Sequence, residues 1–315
     1  MNPENSFNLP AQLPIARYRF SFQMVDNLSL PHYAGSTLRG VFGHALRRLA
    51  CMTRQKECID CPLLETCPYS RIFATPPSPL LNKSQQQNPP QPYIIEAPSD
   101  GVRDYSAGSI FSFDMVLIGY TRLQLPLITY AFQQAFEHGV GWKQARGILI
   151  DVAVQKENNW QSVYQKQSII SHTQMITLPQ HYPDNITLEF YTPLRLQQRS
   201  KVLSIEQLNG EILLGQLLRR VSTLAVLYWQ ALDADYSGLI STAKHIPYQK
   251  KLYWQDWARY SNRQQQGMKL GGALGTWQFE NLPLPFRQLL YIGQWLHIGK
   301  ETVFGHGGYI LKANE

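Results

Sequence analysis

A glycine-rich segment at residues 299–309 combines residue types that can contact phosphate. It contains one lysine, Lys300, and four glycines, namely Gly299, Gly305, Gly307 and Gly308. Glycine lets the backbone come close to a ligand, and successive free N–H groups in such a loop can hold phosphate oxygens. Glu301 follows Lys300 where a nucleotide-triphosphate loop needs Ser or Thr, so the segment favours a nucleic-acid backbone over ATP. The alternative is a helix end at Gly299 followed by a hairpin that contacts no ligand.

Charge and aromatic content favour a polyanionic partner. The 315 residues include 29 Lys+Arg against 22 Asp+Glu, which gives a formal net charge of +7 and a pI near 9.2. The 17 Tyr, 13 Phe and 7 Trp residues offer stacking surfaces. Basic charge interleaved with aromatic residues is typical of single-stranded RNA binding, although most aromatic side chains of a folded protein lie in its core.

All four cysteines fall in one window, at Cys51, Cys58, Cys61 and Cys67. In a reducing compartment, thiols clustered in this way favour a metal over disulfides, because four thiolates satisfy a tetrahedral zinc ion. The spacing from Cys58 to Cys61 matches a zinc knuckle, while the outer spacings are wider than in zinc fingers. We therefore expect one structural zinc that holds a loop. Free thiols, an iron–sulfur centre and disulfides are the alternatives.

An amphipathic helix is predicted at residues 36–50. Its apolar arc contains Leu38, Val41, Phe42, Ala45, Leu46 and Leu49, and its other arc contains Arg39, Gly40, Gly43, His44, Arg47 and Arg48. Two glycines inside a helix cost about 1 kcal/mol each relative to alanine, so their place beside His44 predicts that something approaches this face closely. The alternative is that both glycines serve tight packing on a neighbouring strand.

The order of elements predicts an α+β protein of two tandem ferredoxin-like (RRM-like) domains, residues 1–175 and 176–315. The first half has strand, helix, strand, strand, helix, strand at 15–25, 36–50, 93–97, 110–120, 126–138 and 147–155. This is the ferredoxin-like order, with the cysteine-rich stretch as an insertion. The second half has strands at 185–196, 270–279 and 308–312 and helices at 205–232 and 285–298. Residues 75–92, rich in Pro, Gln, Asn and Ser, predict a flexible excursion.

The sequence predicts a cytoplasmic protein with no membrane partner. Its first residues lack the basic start and apolar run of a secretory signal. No apolar stretch reaches the roughly 18 residues that span a bilayer.

Four segments carry a family resemblance. They are residues 33–48 (YAGSTLRGVFGHALRR), the cysteine cluster with its ending CPY at 67–69, residues 260–264 with 268–272, and residues 296–309 (LHIGKETVFGHGGY). Together they resemble the CRISPR-associated precursor-crRNA processing endoribonucleases of the RAMP superfamily. The resemblance implies cleavage of CRISPR repeat RNA without a catalytic metal, by attack of the ribose 2′-OH on the adjacent phosphate. The products would carry a 2′,3′-cyclic phosphate and a 5′-OH.

The resemblance also implies roles for particular residues. The family often places its catalytic histidine on or just after the first helix, which makes His44 the candidate, with Tyr33 and Lys300 assisting. Histidine suits proton transfer because its unperturbed pKa is near 6.5. His32, His297 and His306 are the competing histidines. The expected RNA-binding residues are Arg39, Arg47, Arg48, Gly299, Gly305, His306, Gly307 and Gly308.

Two other function classes stay open at this point. A RAMP-type scaffold subunit would bind crRNA without cutting it, and an unrelated RRM-like protein would have no reason to carry the terminal motif. Metal-dependent nuclease action is disfavoured because the motifs contain no cluster of Asp and Glu. Expected partners are CRISPR repeat RNA or crRNA, together with CRISPR effector or adaptation proteins.

Overall fold

The computed structural model describes residues 7–82, 88–256, 258–261, 266–269 and 271–313. The centre of the Pro/Gln-rich segment, residues 83–87, lies outside the described residues, as do 262–265 and 270 of the segments that carry the resemblance. The chain forms two compact units. One comprises Gln12–Ile176 with Val226–Gln230, and the other comprises the described parts of Met1–Ala11, Thr177–Ala225 and Ala231–Glu315.

The first unit, called the N-terminal unit, is built on a five-stranded antiparallel sheet. Its elements are β1 (Ile15–Met24), α1 (Gly35–Ala50), α2 (Pro68–Phe73), β2 (Tyr93–Glu96), β3 (Ile110–Ile118), α3 (Leu125–His138), β4 (Gly147–Lys156) and β5 (Asn159–Ser162). A 3₁₀ turn at Gly119–Gln124 precedes α3. The strand order β2-β3-β1-β4-β5 places β1 and β3 in the middle.

Alternating residues of β1 divide this sheet into a core face and a polar face. Tyr18, Phe20, Phe22 and Met24 are buried. Phe22 stacks on Phe136 of α3 with ring centroids 3.7 Å apart. On the other face, Arg17 and Arg19 each bind a carboxylate through two nitrogens, on Glu96 and Asp114. A period of two in β1 therefore sets the side of the sheet on which the helices pack.

The second unit, called the C-terminal unit, has a four-stranded antiparallel sheet. Its elements are β6 (Ile186–Leu194), α4 (Gly210–Tyr228), α5 (Tyr236–Ala243), β7 (Tyr248–Gln255), β8 (Gly272–Phe279), α6 (Leu284–Leu296) and β9 (Tyr309–Ala313), of which Val226–Tyr228 of α4 group with the first unit. The strand order is β7-β8-β6-β9. When the strands are numbered in chain order within each unit, the first four strands of each sheet have the same spatial order, 2-3-1-4. The prediction of tandem ferredoxin-like domains is therefore confirmed.

Short strand pairs complete the described secondary structure. They join Phe7–Asn8 to Asp233–Ala234, Gln12–Leu13 to Ile176–Thr177, Leu28–Ser29 to Asp104–Tyr105, Tyr164–Gln165 to Ser168–Ile169, Gln197–Gln198 to Lys201–Val202, and Ala258–Ser261 to Gln266–Lys269. A second 3₁₀ turn lies at Thr302–Phe304. Among the helices of the described residues, none combines the length and apolar character needed to cross a bilayer.

The second half contains a strand and a helix that the sequence did not predict. Strand β7 pairs with β8 along its whole length, and α5 precedes it. The predicted helix at 205–232 is also shorter than expected. It begins at Gly210, where the side chain of Asn209 accepts a hydrogen bond from the N–H of Ile212 at 2.8 Å, as a helix N-cap does.

Candidate functional site

Helix α1 presents His44 to solvent. Leu38, Phe42 and Leu46 of the same helix are fully buried, and His44 lies on the opposite, exposed side. Arg48, one turn further on, is also exposed, and its Nη2 lies 3.5 Å from Nδ1 of His138. The 3.6-residue period of the helix thus places an imidazole and a guanidinium side by side on a surface that solvent and a ligand can reach.

The two glycines of α1 have different surroundings. A methyl group at Gly43 would overlap the ring of Phe73 from α2, so Gly43 is needed for packing. A methyl group at Gly40 would meet no atom within 4 Å. The packing explanation therefore holds for Gly43 and leaves Gly40 unexplained.

Two of the three arginines proposed to bind RNA are engaged within the protein. The guanidinium of Arg39 lies 4.2 Å from the ring centroid of Phe73 and beside the hydroxyl of Tyr93, whose burial raises its pKa to about 12. Arg47 donates to the carbonyls of Gln55 and Lys56 at 2.6 and 2.7 Å. These contacts place both groups in packing around the cysteine segment and α2, and RNA contact at Arg39 and Arg47 stays a prediction.

Tyr33 and His32 lie just before α1. Their rings meet edge to face with centroids 4.5 Å apart, and His32 is exposed while Tyr33 is half-buried. Tyr33 precedes the first residue of α1, Gly35, so helix geometry does not fix its distance from His44. A joint role of Tyr33 and His44 stays a prediction.

The four cysteines line a single small cavity of about 10 Å³ between α1 and α2. All four are free thiols and half-buried. Burial raises the pKa of Cys58, while hydrogen bonds at Cys51 from Arg54, Thr53 and Arg47 outweigh the opposing effect of burial and lower its pKa. In the part of the chain that the structure describes, however, no three His, Cys, Asp or Glu side chains form a group that could hold a metal ion. The zinc prediction is not confirmed.

The glycine-rich loop uses its backbone donors within the C-terminal unit. The N–H of Gly305 donates to Thr302, that of Gly307 to Pro193 and that of Gly308 to the hydroxyl of Thr192, at 2.8 to 3.0 Å. Thr192 in turn donates to the carbonyl of Gly305 at 2.7 Å. The proposed phosphate cradle needs free N–H groups, so the structure corrects that mechanism at these glycines.

Close packing explains the glycines of this loop. Gly299, Gly305 and Gly307 have positive φ angles of 96°, 87° and 68°. A methyl group on Gly307 would overlap the carbonyl of Ile298, and one on Gly299 would overlap that of Arg195. Gly308 lies against the hydroxyl of Tyr191. The loop is tied to the end of β6, and RNA contact at Gly299, Gly305, Gly307 and Gly308 stays a prediction.

The two histidines of this loop are buried. Nδ1 of His297 lies 3.1 Å from the carbonyl oxygen of His306, so Nδ1–H donates there and Nε2 can accept from the hydroxyl of Tyr191 at 3.4 Å. His306 is 1% exposed, and burial together with the nearby His297 and Arg195 lowers its pKa to about 4. Neither ring is presented to solvent, which makes His306 a structural residue and argues against its predicted RNA contact.

Lys300 is the exposed cation of the loop. Its backbone N–H donates to the carbonyl of Arg195 at 2.9 Å, which fixes the position of the residue while its side chain reaches solvent. Lys300 belongs to the C-terminal unit and His44 to the N-terminal unit. A joint role of these two residues stays a prediction.

Sequence reasoning missed the residues that hold this loop. Thr192 bonds to Gly305 and Gly308 from a strand 113 and 116 positions earlier, and Pro193 supplies the acceptor for Gly307. No local pattern around Thr192 marks it, because a threonine in a strand is ordinary. These hydrogen bonds can be recognised only from the three-dimensional structure, in which β6 lies next to the loop.

Two family models match the chain. One, for the CRISPR-associated endoribonuclease Cas6, matches residues 188–309, and the other, described as an N-terminal domain, matches residues 13–177. A comparison with curated protein sequences gave no match.

Several solved structures are similar in fold. A partial Cas6-RT-Cas1–Cas2 complex matches with 15% identity and a TM-score of 0.59, over 97% of this chain and 47% of that one. A Cas6 product complex matches with 11% identity and a TM-score of 0.55, over 96% and 100%. Thermus thermophilus Cas6 matches with 11% identity and a TM-score of 0.52, over 96% and 100%. Identities this low show the fold alone. The chain spans about half, or less, of the chains from the two Cas6-RT-Cas1–Cas2 structures.

Proposed function

We propose that the chain is a CRISPR-associated endoribonuclease of the Cas6 type, whose family model matches residues 188–309, and that it cuts CRISPR repeat RNA into crRNA by attack of a ribose 2′-OH. The attacking oxygen loses its proton to a base and forms a bond to phosphorus, while the bond from phosphorus to the 5′-oxygen breaks. The leaving 5′-oxygen takes a proton from an acid. The products carry a 2′,3′-cyclic phosphate and a 5′-OH, and no atom of the reaction requires a metal.

His44 is the proposed proton-transfer group of this reaction. The observation that carries the proposal is that His44 is exposed on α1, whereas His297 and His306 are buried. Histidine is the side chain that enzymes use most often for proton transfer in a transition state. His32, exposed just before α1, is its competitor. His138, which lies beside Arg48, is also exposed near this helix.

Cationic side chains have a separate role in the proposal. Charge develops on the phosphate as the 2′-oxygen attacks, and a nearby cation stabilises it. Arg48 on α1 and Lys300 in the glycine-rich loop are exposed and are proposed to contact RNA phosphates. Tyr33 is proposed to assist His44.

Single-turnover cleavage of repeat RNA in EDTA tests the function. The wild-type protein should cut and leave a cyclic phosphate, and His44→Ala should cut about 100- to 10,000-fold more slowly with RNA affinity nearly intact. His32→Ala is the matched control and should retain most of the rate. A larger loss in His32→Ala would move the assignment to that residue, and RNA left uncut by the wild type would favour a crRNA-binding scaffold.

Association with CRISPR adaptation or effector proteins is also proposed. Support comes from the likeness of this chain to part of a Cas6-RT-Cas1–Cas2 complex. Co-purification of the chain with CRISPR adaptation proteins would test this, and failure to co-purify at micromolar concentration would count against it.

A structural zinc at the cysteines belongs to the same proposal. It is supported by the chemistry of four thiols, which suits zinc, and by their position around one cavity. Among the described residues they do not form a ligand group, so zinc binding would have to draw the thiols together. Elemental analysis of the purified protein should find close to one zinc per chain, with loss in Cys58→Ser. Four readily titrated thiols and no bound metal would refute it.

A further inference from the structure

Gly40 carries a cost without a visible structural benefit. A glycine inside a helix destabilises it relative to alanine, because glycine loses more backbone freedom on folding. At Gly43 that cost is explained by the ring of Phe73, which occupies the space of a side chain. At Gly40 an added methyl group meets nothing within 4 Å, and the residue sits inside α1. A ligand that approaches this face of α1 closely would account for this glycine.

The gap at Gly40 lies beside the exposed histidine. Residues four apart on a helix share one face, and Cα–Cβ bonds tilt toward the N-terminus of the helix. A side chain therefore covers the surface over the turn before its own Cα. For His44 that surface is at Gly40, about 6 Å earlier along the axis. Because Gly40 has no side chain, the helix surface next to the imidazole of His44 is open.

We propose that Gly40 is a positioning residue whose missing side chain lets the sugar–phosphate backbone of the substrate RNA lie against α1, within reach of His44. The inference rests on the proposed function and adds to it the place where the scissile nucleotide binds. A ribose or phosphate needs van der Waals contact with the helix backbone to bring its 2′-OH to an imidazole on the same face. A methyl group at Gly40 would hold it off by about 1 Å, and a displacement of that size can cost about 100-fold in rate.

The variant Gly40→Ala distinguishes a role in RNA positioning from a role in folding, because the two roles predict different changes in stability and cleavage rate. Since the space is open and the backbone is helical, Gly40→Ala should raise the unfolding temperature by about 1 to 3 °C. In single-turnover assays the same variant should cut repeat RNA about 10- to 100-fold more slowly, and Gly40→Val more slowly still. Its affinity for RNA with a 2′-deoxy nucleotide at the cut should change much less than its rate. A more stable yet slower enzyme is a result that a structural role would not produce.

Gly43→Ala is the matched control. It adds the same methyl group three residues further along α1, where the helix packs against Phe73 of α2. It should lower the unfolding temperature, since the methyl group meets Phe73, and should retain the wild-type rate when assayed well below that temperature. Wild-type cleavage by Gly40→Ala would overturn the inference while leaving the proposed function intact. A lower unfolding temperature for Gly40→Ala would also overturn it, because the space would then not be open. Repeat RNA left uncut by the wild type would overturn the proposed function, and this inference with it.

Discussion

His306 should make the C-terminal unit sensitive to acid. The side chain is buried, and burial together with His297 and Arg195 lowers its pKa to about 4. In the unfolded chain a histidine titrates near 6.5. Between these two values the unfolded chain binds more protons than the folded one, so stability that is present at neutral pH is lost as the pH falls from 6.5 toward 4.

The size of the loss follows from the difference between the two pKa values. Each pKa unit is worth 1.36 kcal/mol, so His306 alone should remove about 3 kcal/mol from the free energy of unfolding by pH 4. At pH 5 the loss should be about 2 kcal/mol, and at pH 7 it should be close to zero. Domains are stable by only about 5 to 15 kcal/mol, so the loss at pH 5 is large enough to measure.

Urea unfolding at pH 7.5, 6 and 5 measures how much of the free energy of unfolding His306 removes as the pH falls. His306→Gln keeps a polar side chain of similar size and cannot titrate, so its stability should fall between pH 7.5 and 5 by about 2 kcal/mol less than that of the wild type. The comparison uses the change with pH, so a general destabilisation of the variant does not affect it. Equal pH dependence of the two proteins, or an NMR titration of His306 near pH 6.5, would refute the reasoning.

The same pKa bears on catalysis. At pH 7 a histidine with a pKa near 4 is protonated in about one molecule in a thousand, so it has almost no proton to donate to a leaving oxygen. Folded His306→Gln should therefore cut RNA within a few-fold of the wild-type rate. A loss of about 100-fold in this variant would mean that His306 takes part in the chemistry after all.

Two further predictions concern the basic residues. Lys300→Ala should weaken RNA binding across sequences and lower the slope of log affinity against log salt by about one. Lys312→Ala is the control and should change that slope less, because the ammonium of Lys312 already pairs with Glu189. Equal slopes for the wild type and Lys300→Ala would show that Lys300 contacts no phosphate. Arg48→Ala should weaken RNA binding. Arg47→Ala should chiefly make the cysteine segment more sensitive to protease, because the carbonyls of Gln55 and Lys56 lose their hydrogen-bond donor. The opposite outcome would exchange the roles of the two arginines.

The order of elements could be predicted from the sequence because most core positions follow a regular period. Strand β1 was predicted at 15–25 and spans Ile15–Met24, and α3 was predicted at 126–138 and spans Leu125–His138. Strand β7 was missed because a lysine stands at one of its inward positions. Lys250 lies opposite Trp277, and its ammonium donates to the carbonyls of Ile205 and Leu208 instead of meeting apolar atoms. Apolar alternation cannot identify a strand whose inward residue is charged.

The candidate site was predictable only as far as a single helix determines it. The spacing of residues 38–46 predicts that His44 faces away from the core, and the structure has it exposed. The same spacing treats Gly40 and Gly43 as equivalent, and Arg39 like Arg48. What separates them is Phe73, which lies 30 or more positions later on α2 and occupies the space beside Gly43 and Arg39. Periodicity predicts which residues leave the core, but only a partner from elsewhere in the chain decides which of them remain available to a ligand.

The histidines illustrate the same limit, with a consequence for the mechanism. The sequence favours His44 over His32, His297 and His306 only through the family resemblance, and burial argues against His297 and His306. In the glycine-rich loop the exposed cation is Lys300, whose ammonium is proposed to stabilise the charge of a phosphate. If His44 serves as the base, the acid has to be another group near α1 or a water molecule. Burial does not choose among His32, Tyr33 and His138, because His32 and His138 are exposed and Tyr33 is half-buried, so the rates of the single variants must assign the acid.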